Sequence, residues 1–158
     1  MKITVLCVGK IKEKFYSDAI CEYAKRLKRF ADFTIIEVPD ERIPENASAK
    51  EELTVKEREG EKLISKIPSQ SFVIGLCIEG NLMSSTELAK TMSDAYLSSS
   101  NITFIIGGSL GLSDVVKSRC NLKLSFGRMT LPHQLMRVVL SEQIYRAFMI
   151  NSGGIYHK

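Results

Sequence analysis

The segment Asn101-Ile102-Thr103-Phe104-Ile105-Ile106-Gly107-Gly108-Ser109-Leu110-Gly111 joins a continuous apolar run to a glycine-rich turn. An apolar run of this kind is typical of a strand that is covered on both faces in a parallel sheet. The glycines permit a sharp turn and let another group approach the backbone closely. Because a short helix pattern follows, up to about Arg119, the segment predicts one strand–turn–helix unit of an α/β domain.

The same alternation of strand and helix patterns continues over the rest of the chain. Four further apolar runs predict strands at 3–8, 33–38, 72–78 and 122–126. With the helices predicted after each strand, the pattern indicates an α/β fold, a mostly parallel sheet of five to six strands with helices on both faces. We expect a single domain over residues 1–158, with a turn at Gly80-Asn81 after the third strand.

The composition excludes several classes of protein. With 44% hydrophobic residues the chain is too apolar to be disordered, and no apolar run approaches the roughly 18–20 residues of a membrane span. The first residues enter a strand pattern directly and lack the features of a secretory signal, so we expect a cytoplasmic protein. Four cysteines without CxxC spacing and two histidines give no zinc pattern, and no metal site is expected.

The net charge of +4 is concentrated at the C-terminal end of the sequence. Residues 123–158 contain five Lys or Arg residues against one acidic residue. A polyanionic partner would be drawn to that end, although an ordinary solvated helix face would carry the same charge. Glu142 and Arg146, four residues apart in a helix pattern, are expected to form a structural or interfacial pair.

Three predicted strand ends, after Leu76, Ile106 and Phe126, are the places where a parallel sheet would bind a ligand. The turn at 106–111 lacks the dinucleotide fingerprint, because Ile106 stands at the first glycine position, and it lacks the Gly-Lys-Ser/Thr of a P-loop. The turn sequence therefore favours a ligand that has no phosphate group bound tightly by the backbone. A simple tight turn would have the same sequence.

The start of the last predicted helix carries an unusual set of polar side chains. At about 100° per residue, His133, Gln134, Arg137 and Ser141 fall within one arc of roughly 100° on an otherwise apolar helix. A polar stripe that is buried or at an interface needs partners. A lone histidine is commonly a satisfied core residue, but its place at a helix start beside Arg137 favours a functional role.

The C-terminal sequence resembles that of a known family. The relevant residues are Ser125, Met129-Thr130, Pro132-His133-Gln134-Leu135, Arg137, Leu140, Glu142-Gln143-Ile144-Tyr145-Arg146-Ala147 and the terminal Tyr156-His157-Lys158. They are similar to those of the SPOUT-class methyltransferases that modify a pseudouridine of 23S rRNA at N3. The likeness extends over the whole chain, through Val8-Gly9-Lys10, Glu37-Val38-Pro39-Asp40 and Ile106-Gly107-Gly108.

The resemblance implies a homodimer that binds S-adenosylmethionine and methylates the 23S rRNA of assembled ribosomes. It also implies a C-terminal trefoil knot, which the periodicity does not indicate. The cofactor positions it implies are Leu76, Gly107, Gly108, Phe126, Gly127, Arg128, Met129, Thr130 and Leu131. S-adenosylmethionine has no phosphate, which agrees with a glycine turn that lacks a phosphate clamp.

Four residues are expected to act on the substrate: His133, Arg137, Tyr156 and His157. A neutral histidine, with a reference pKa of about 6.5, suits removal of the N3 proton; His133 and His157 are both candidates, with His133 preferred. Tyr156 would stack on or orient a flipped-out base. Arg137 and Arg128 would hold the RNA backbone or the charge that develops on the ring. In a dimer, the tail of one subunit could complete the site of the other.

Two other functions remain open at this point. A non-catalytic α/β nucleotide-binding module would rest on the glycine turn alone. A divergent duplicate would keep the fold and the cofactor site but act on a different RNA. Leu110, Asn81 and Asn151-Ser152 depart from the family pattern, and the last two departures lower the positive charge available to RNA.

Overall fold

Five strands and five helices alternate along the chain in a computed structural model that describes residues 1–157. The strands are β1 (Lys2–Val8), β2 (Asp32–Val38), β3 (Ser71–Leu82), β4 (Asn101–Ile106) and β5 (Leu122–Ser125). The helices are α1 (Lys14–Leu27), α2 (Ala49–Ile64), α3 (Ser85–Ser98), α4 (Asp114–Arg119) and α5 (His133–Asn151). The predicted alternation is confirmed, and Lys158 of the terminal motif lies outside the described residues.

The strands form one sheet in the order β2-β1-β4-β3-β5, and every neighbouring pair is parallel. β1 and β4 occupy the interior of the sheet, where Ile3 pairs with Ile102 and Cys7 with Ile106. These four side chains are buried, as expected for strands covered on both faces. Because all five strands run the same way, their carboxyl ends meet at one edge.

Helices cover both faces of the sheet, which confirms the predicted fold class. One face packs against α1, α3 and α5 through a core that includes Leu27, Met92 and Ile144. The other packs against α2 and α4 through Leu63 and Val116. No helix within residues 1–157 combines the length and the apolar character needed to cross a lipid bilayer.

The third strand differs from the prediction. β3 does not turn at Gly80-Asn81 but continues to Leu82, and its register against β5 shifts so that Leu76 and Asn81 both pair with Leu124. A Cβ added to Gly80 would lie 2.8 Å from the Lys123 carbonyl oxygen. The predicted turn is therefore wrong, since Gly80 serves a close approach of two strands across a bulge.

The fifth strand ends at Ser125, one residue earlier than predicted, and Phe126 begins the loop that leads to α5. The trefoil knot implied by the resemblance stays a prediction.

Candidate functional site

A cavity of about 640 Å³ opens at the carboxyl ends of β3, β4 and β5. Its volume falls within the roughly 300–1,000 Å³ typical of small-molecule sites. The walls are mainly apolar side chains, among them Ile78, Ile106, Leu110, Leu112, Leu124 and Met136. The predicted loops after Ile106 and Phe126 therefore meet at this cavity, together with residues 76–79, which belong to β3 rather than to the loop expected after Leu76.

Eight of the nine predicted cofactor residues line this cavity: Leu76, Gly107, Gly108, Phe126, Gly127, Met129, Thr130 and Leu131. The exception is Arg128, whose side chain is exposed and is absent from the cavity wall. Gly127 next to it has a φ of 125°, in the region that favours glycine. The assignment of Arg128 to the cofactor site stays a prediction, and its two chain neighbours Gly127 and Met129 both line the cavity.

The glycine turn after β4 is a compact wall of the cavity. A Cβ added to Gly107 would lie 2.8 Å from the carbonyl oxygen of Gly111, so a side chain there would displace rigid backbone. The turn is closed by the Gly111 amide, which donates to the Gly108 carbonyl at 3.0 Å. Lys117 also lines the cavity, but its ammonium is paired with Glu79. The described residues thus offer apolar walls and backbone, and no phosphate clamp.

His133 stands where the large cavity meets a second one of about 230 Å³. It is half-buried at the start of α5. Burial, and then the positive charge of Arg137, lower the pKa of His133 below its usual 6.5. The imidazole is therefore neutral at pH 7 and able to accept a proton.

Arg137 has a different role from the predicted one. Its side chain is fully buried, NH1 donates to Glu37 Oε1 at 2.6 Å, and NH2 donates to the carbonyl oxygens of Val8 at 2.9 Å and Gly9 at 2.7 Å. A guanidinium held in this way cannot contact RNA, so the expectation that Arg137 grips the substrate is corrected. It fixes the end of β1 to α5, and its NH2 lies 3.4 Å from Nδ1 of His133.

The polar stripe on α5 finds its partners in the chain between β1 and α1. Gln134 Oε1 accepts a hydrogen bond from the Lys12 amide at 2.8 Å, and Glu37 Oε1 accepts one from the Ile11 amide at 3.0 Å. Ser141 donates to the carbonyl oxygen of Arg137 at 2.7 Å. The stripe therefore holds segment 9–13 beside His133.

Tyr156 and His157 lie elsewhere, in a second polar cluster on α5. Tyr156 donates to Glu142 Oε1 at 3.1 Å, and Arg146 pairs with Glu142 at 2.6 Å, which confirms the predicted pair. Nδ1 of His157 lies 3.4 Å from Arg146 NH1. Glu142 is nine residues beyond His133 on α5, which is about 13 Å along the axis.

The structure therefore does not bring the four predicted catalytic residues together within one chain. Neither Tyr156 nor His157 lines the cavity beside His133. Within residues 1–157, no group of three or more His, Cys, Asp or Glu side chains is arranged to hold a metal ion.

One residue beside the site, Glu59, was missed in the sequence. It belongs to the highly charged helix α2, yet it is only 5% exposed and lines the smaller cavity. A signal was present, because Glu59 stands four residues from Val55 and four from Leu63, both of which are buried. This spacing places it on the inward face of the helix.

The comparisons with known proteins cover the whole described chain. Residues 1–157 match a family model described as predicted SPOUT methyltransferase. Over 159 aligned positions the chain is 56% identical to the ribosomal RNA large subunit methyltransferase H of Lactobacillus acidophilus (strain ATCC 700396 / NCK56 / N2 / NCFM). It is 54% identical to the protein of that name from Streptococcus uberis (strain ATCC BAA-854 / 0140J) and 53% to that from Clostridium novyi (strain NT), with all of each chain covered.

Among solved structures, the chain is similar to the SpoU methyltransferase AviRb from Streptomyces viridochromogenes in complex with the cofactor AdoMet. The TM-score is 0.49 at 14% sequence identity, and the match covers 97% of this chain and 59% of that chain.

Proposed function

The chain belongs to the SPOUT methyltransferase family, and from this premise we propose that it transfers a methyl group from S-adenosylmethionine to N3 of a pseudouridine in the 23S rRNA of assembled ribosomes. The observation that carries the proposal is the full-length identity, above one half, to proteins named ribosomal RNA large subunit methyltransferase H. The choice of N3 and of pseudouridine rests on the C-terminal sequence block and its resemblance. The non-catalytic binding module is set aside, because a match over whole chains outweighs one glycine turn.

The cavity at the ends of β3, β4 and β5 suits the proposed cofactor. S-adenosylmethionine, when bound, supplies a methyl group activated by a positively charged sulfur. Apolar walls and backbone, without a phosphate clamp, match a sulfonium compound that has no phosphate. Leu76, Gly107 and Gly108 on one side and the loop 126–131 on the other would hold it.

His133 is the proposed general base. A nucleophilic N3 requires loss of the N3–H proton, and a neutral imidazole at the cavity wall can take that proton. The rest of the catalytic contribution is alignment of the methyl carbon with N3, since displacement at carbon needs the two in line.

We propose that two copies form a homodimer in which Tyr156 and His157 of one copy complete the cavity of the other. In their own chain both residues lie with Glu142, away from the cavity. Large apolar side chains are left uncovered at the cavity wall, where Met129 is 84% exposed, and at the end of β3, where Leu82 is 69% exposed. Contact with a second copy would cover such surface.

The proposal is tested with labelled S-adenosylmethionine and ribosomes from cells that lack the modification. We expect label in the large-subunit RNA, mapped by mass spectrometry to N3 of one pseudouridine, and no label on ribosomes that already carry it. Absence of label on the large-subunit RNA in every assembly state would contradict the proposed function. Label at a different nucleotide would instead identify a divergent duplicate.

A further inference from the structure

The smaller cavity, of about 230 Å³, adjoins the larger one and shares four wall residues with it: Gly108, Ser109, Leu110 and His133. It is smaller than the roughly 300–1,000 Å³ of common ligand sites, so it suits a single ring rather than a whole cofactor. Its other walls come from the end of β1, the loop after β2 and helix α2.

Glu59 is the buried charged residue of this smaller cavity. Its side chain is 5% exposed, and Oε1 accepts a hydrogen bond from the Glu41 amide at 3.0 Å. Oε2 has no hydrogen-bond partner within residues 1–157, and it lies 2.8 Å from the point where a Cβ on Gly108 would be. Among residues 1–157 the side-chain N and O atoms that are fully buried without a partner are Tyr96 OH and Arg137 Nε, so Oε2 of Glu59 is open to the cavity. A ligand donor could replace water as its partner there.

The neighbouring charges leave that oxygen available. Lys62 donates to Glu41 and to the carbonyl oxygen of Pro39 rather than to Glu59. Asp40 and Arg42 also line the cavity, but neither is hydrogen-bonded to Glu59. Burial raises the pKa of the Glu59 carboxyl above its usual range, in keeping with a group that lacks a cationic partner.

We propose that the smaller cavity seats the target pyrimidine, and that Oε2 of Glu59 accepts a hydrogen bond from N1–H of pseudouridine. This inference rests on the proposed function and adds to it the residue that distinguishes the substrate. The pseudouridine ring carries N–H groups on both sides of its C2 carbonyl. His133, at the junction of the two cavities, would take the proton from N3, and Glu59 would accept the hydrogen bond from N1–H.

Uridine presents a C–H group where pseudouridine presents N1–H, because its sugar is attached through N1. An acceptor aimed at that position would leave Glu59 unpaired when uridine is bound. Sites that hydrogen-bond a substrate group reject analogues lacking it far more strongly than apolar pockets reject an extra methylene. Glu59 would therefore favour pseudouridine over uridine, which the shape of the cavity alone would not do because the two rings have the same size.

The test uses Glu59→Gln on the full-length protein. The amide oxygen can still accept from the Glu41 amide, but the NH2 group cannot accept from N1–H. Initial methylation rates are compared on ribosomes with pseudouridine and on ribosomes with uridine at the target. We expect the wild-type protein to prefer pseudouridine, and the variant to lose about 10- to 100-fold on pseudouridine while its rate on uridine stays unchanged.

Three controls separate recognition from other effects. Glu57→Gln, at an exposed position of the same helix, should leave both rates unchanged. Affinity for S-adenosylhomocysteine should be the same in wild type and Glu59→Gln. If Glu59→Gln does not fold, as judged by its urea unfolding curve, Glu59→Asp replaces it and should lower the rate on pseudouridine alone.

Equal loss on both substrates, or weaker S-adenosylhomocysteine binding by Glu59→Gln, would overturn the inference. A wild-type protein that methylates uridine as well as pseudouridine would overturn it too, while leaving the protein a methyltransferase. Failure of the wild-type protein to label either kind of ribosome would contradict the proposed function itself, and the inference with it.

Discussion

Replacement of Arg137 by methionine is expected to lower the free energy of unfolding by about 3–5 kcal/mol. The guanidinium is fully buried and holds Glu37 and the carbonyl oxygens of Val8 and Gly9. Methionine fills a similar volume, but it removes the donor of the Val8 and Gly9 carbonyl groups and leaves the Glu37 carboxylate with the Ile11 amide and no cation. The unfolding free energy is measured by urea titration, with the slope checked for constancy.

The matched control for Arg137→Met is Arg26→Ala. Arg26 forms an exposed i,i+4 pair with Glu22, and pairs of this kind contribute little to stability. We expect its unfolding midpoint to stay at the wild-type value. A loss below about 1 kcal/mol in Arg137→Met, the size of an ordinary hydrogen bond, would show that the cluster does not hold the fold together.

Replacement of His133 by asparagine is expected to lower kcat by about 10²- to 10⁴-fold, the range for loss of a general base. The measurement is multiple-turnover methylation with both S-adenosylmethionine and ribosomes at saturating concentrations. Affinity for S-adenosylhomocysteine should change little, because the large cavity keeps its other walls. The variant His157→Asn distinguishes the two histidines. If His157→Asn loses kcat and His133→Asn retains it, the general base is His157 in the C-terminal tail.

The rate of methylation should also depend on pH through His133. The base acts when deprotonated, and burial together with Arg137 lowers its pKa below 6.5. The single-turnover rate should therefore be level around pH 7 and fall only on the acid side of pH 6.5, with one proton taken up. If the single-turnover rate already declines above pH 7 as the pH is lowered, His133 with a lowered pKa is not the general base.

The α/β fold could be predicted because its signals are local. Apolar runs such as 3–8 and 102–106 report strands covered on both faces, and both lie within observed strands of the sheet interior. The loop after Ile106 could be singled out for the same reason, since carboxyl ends of parallel strands meet at one edge. The loop expected after Leu76 is wrong, because β3 continues to Leu82.

The remaining features depend on contacts between distant parts of the chain. A glycine at position 80 suggests a turn. In the structure a Cβ at Gly80 would lie 2.8 Å from the backbone of β5, and this close approach is the reason for the glycine. The positive charge of Arg137 suggests a contact with RNA. In the structure the Arg137 side chain is buried and paired with Glu37, which is one hundred residues away in sequence. The knot is a property of threading, and hydrophobic periodicity carries no information about it.

The cavity at the ends of β3, β4 and β5 is the proposed site of the methyl donor, and the proposed role of His133 depends on it. A crystal structure of the protein with S-adenosylhomocysteine tests this directly. We predict density for the ligand between the glycine turn at 107–111 and the loop 126–131, with His133 at its edge. Ligand density at another surface, with this cavity empty, would contradict the account.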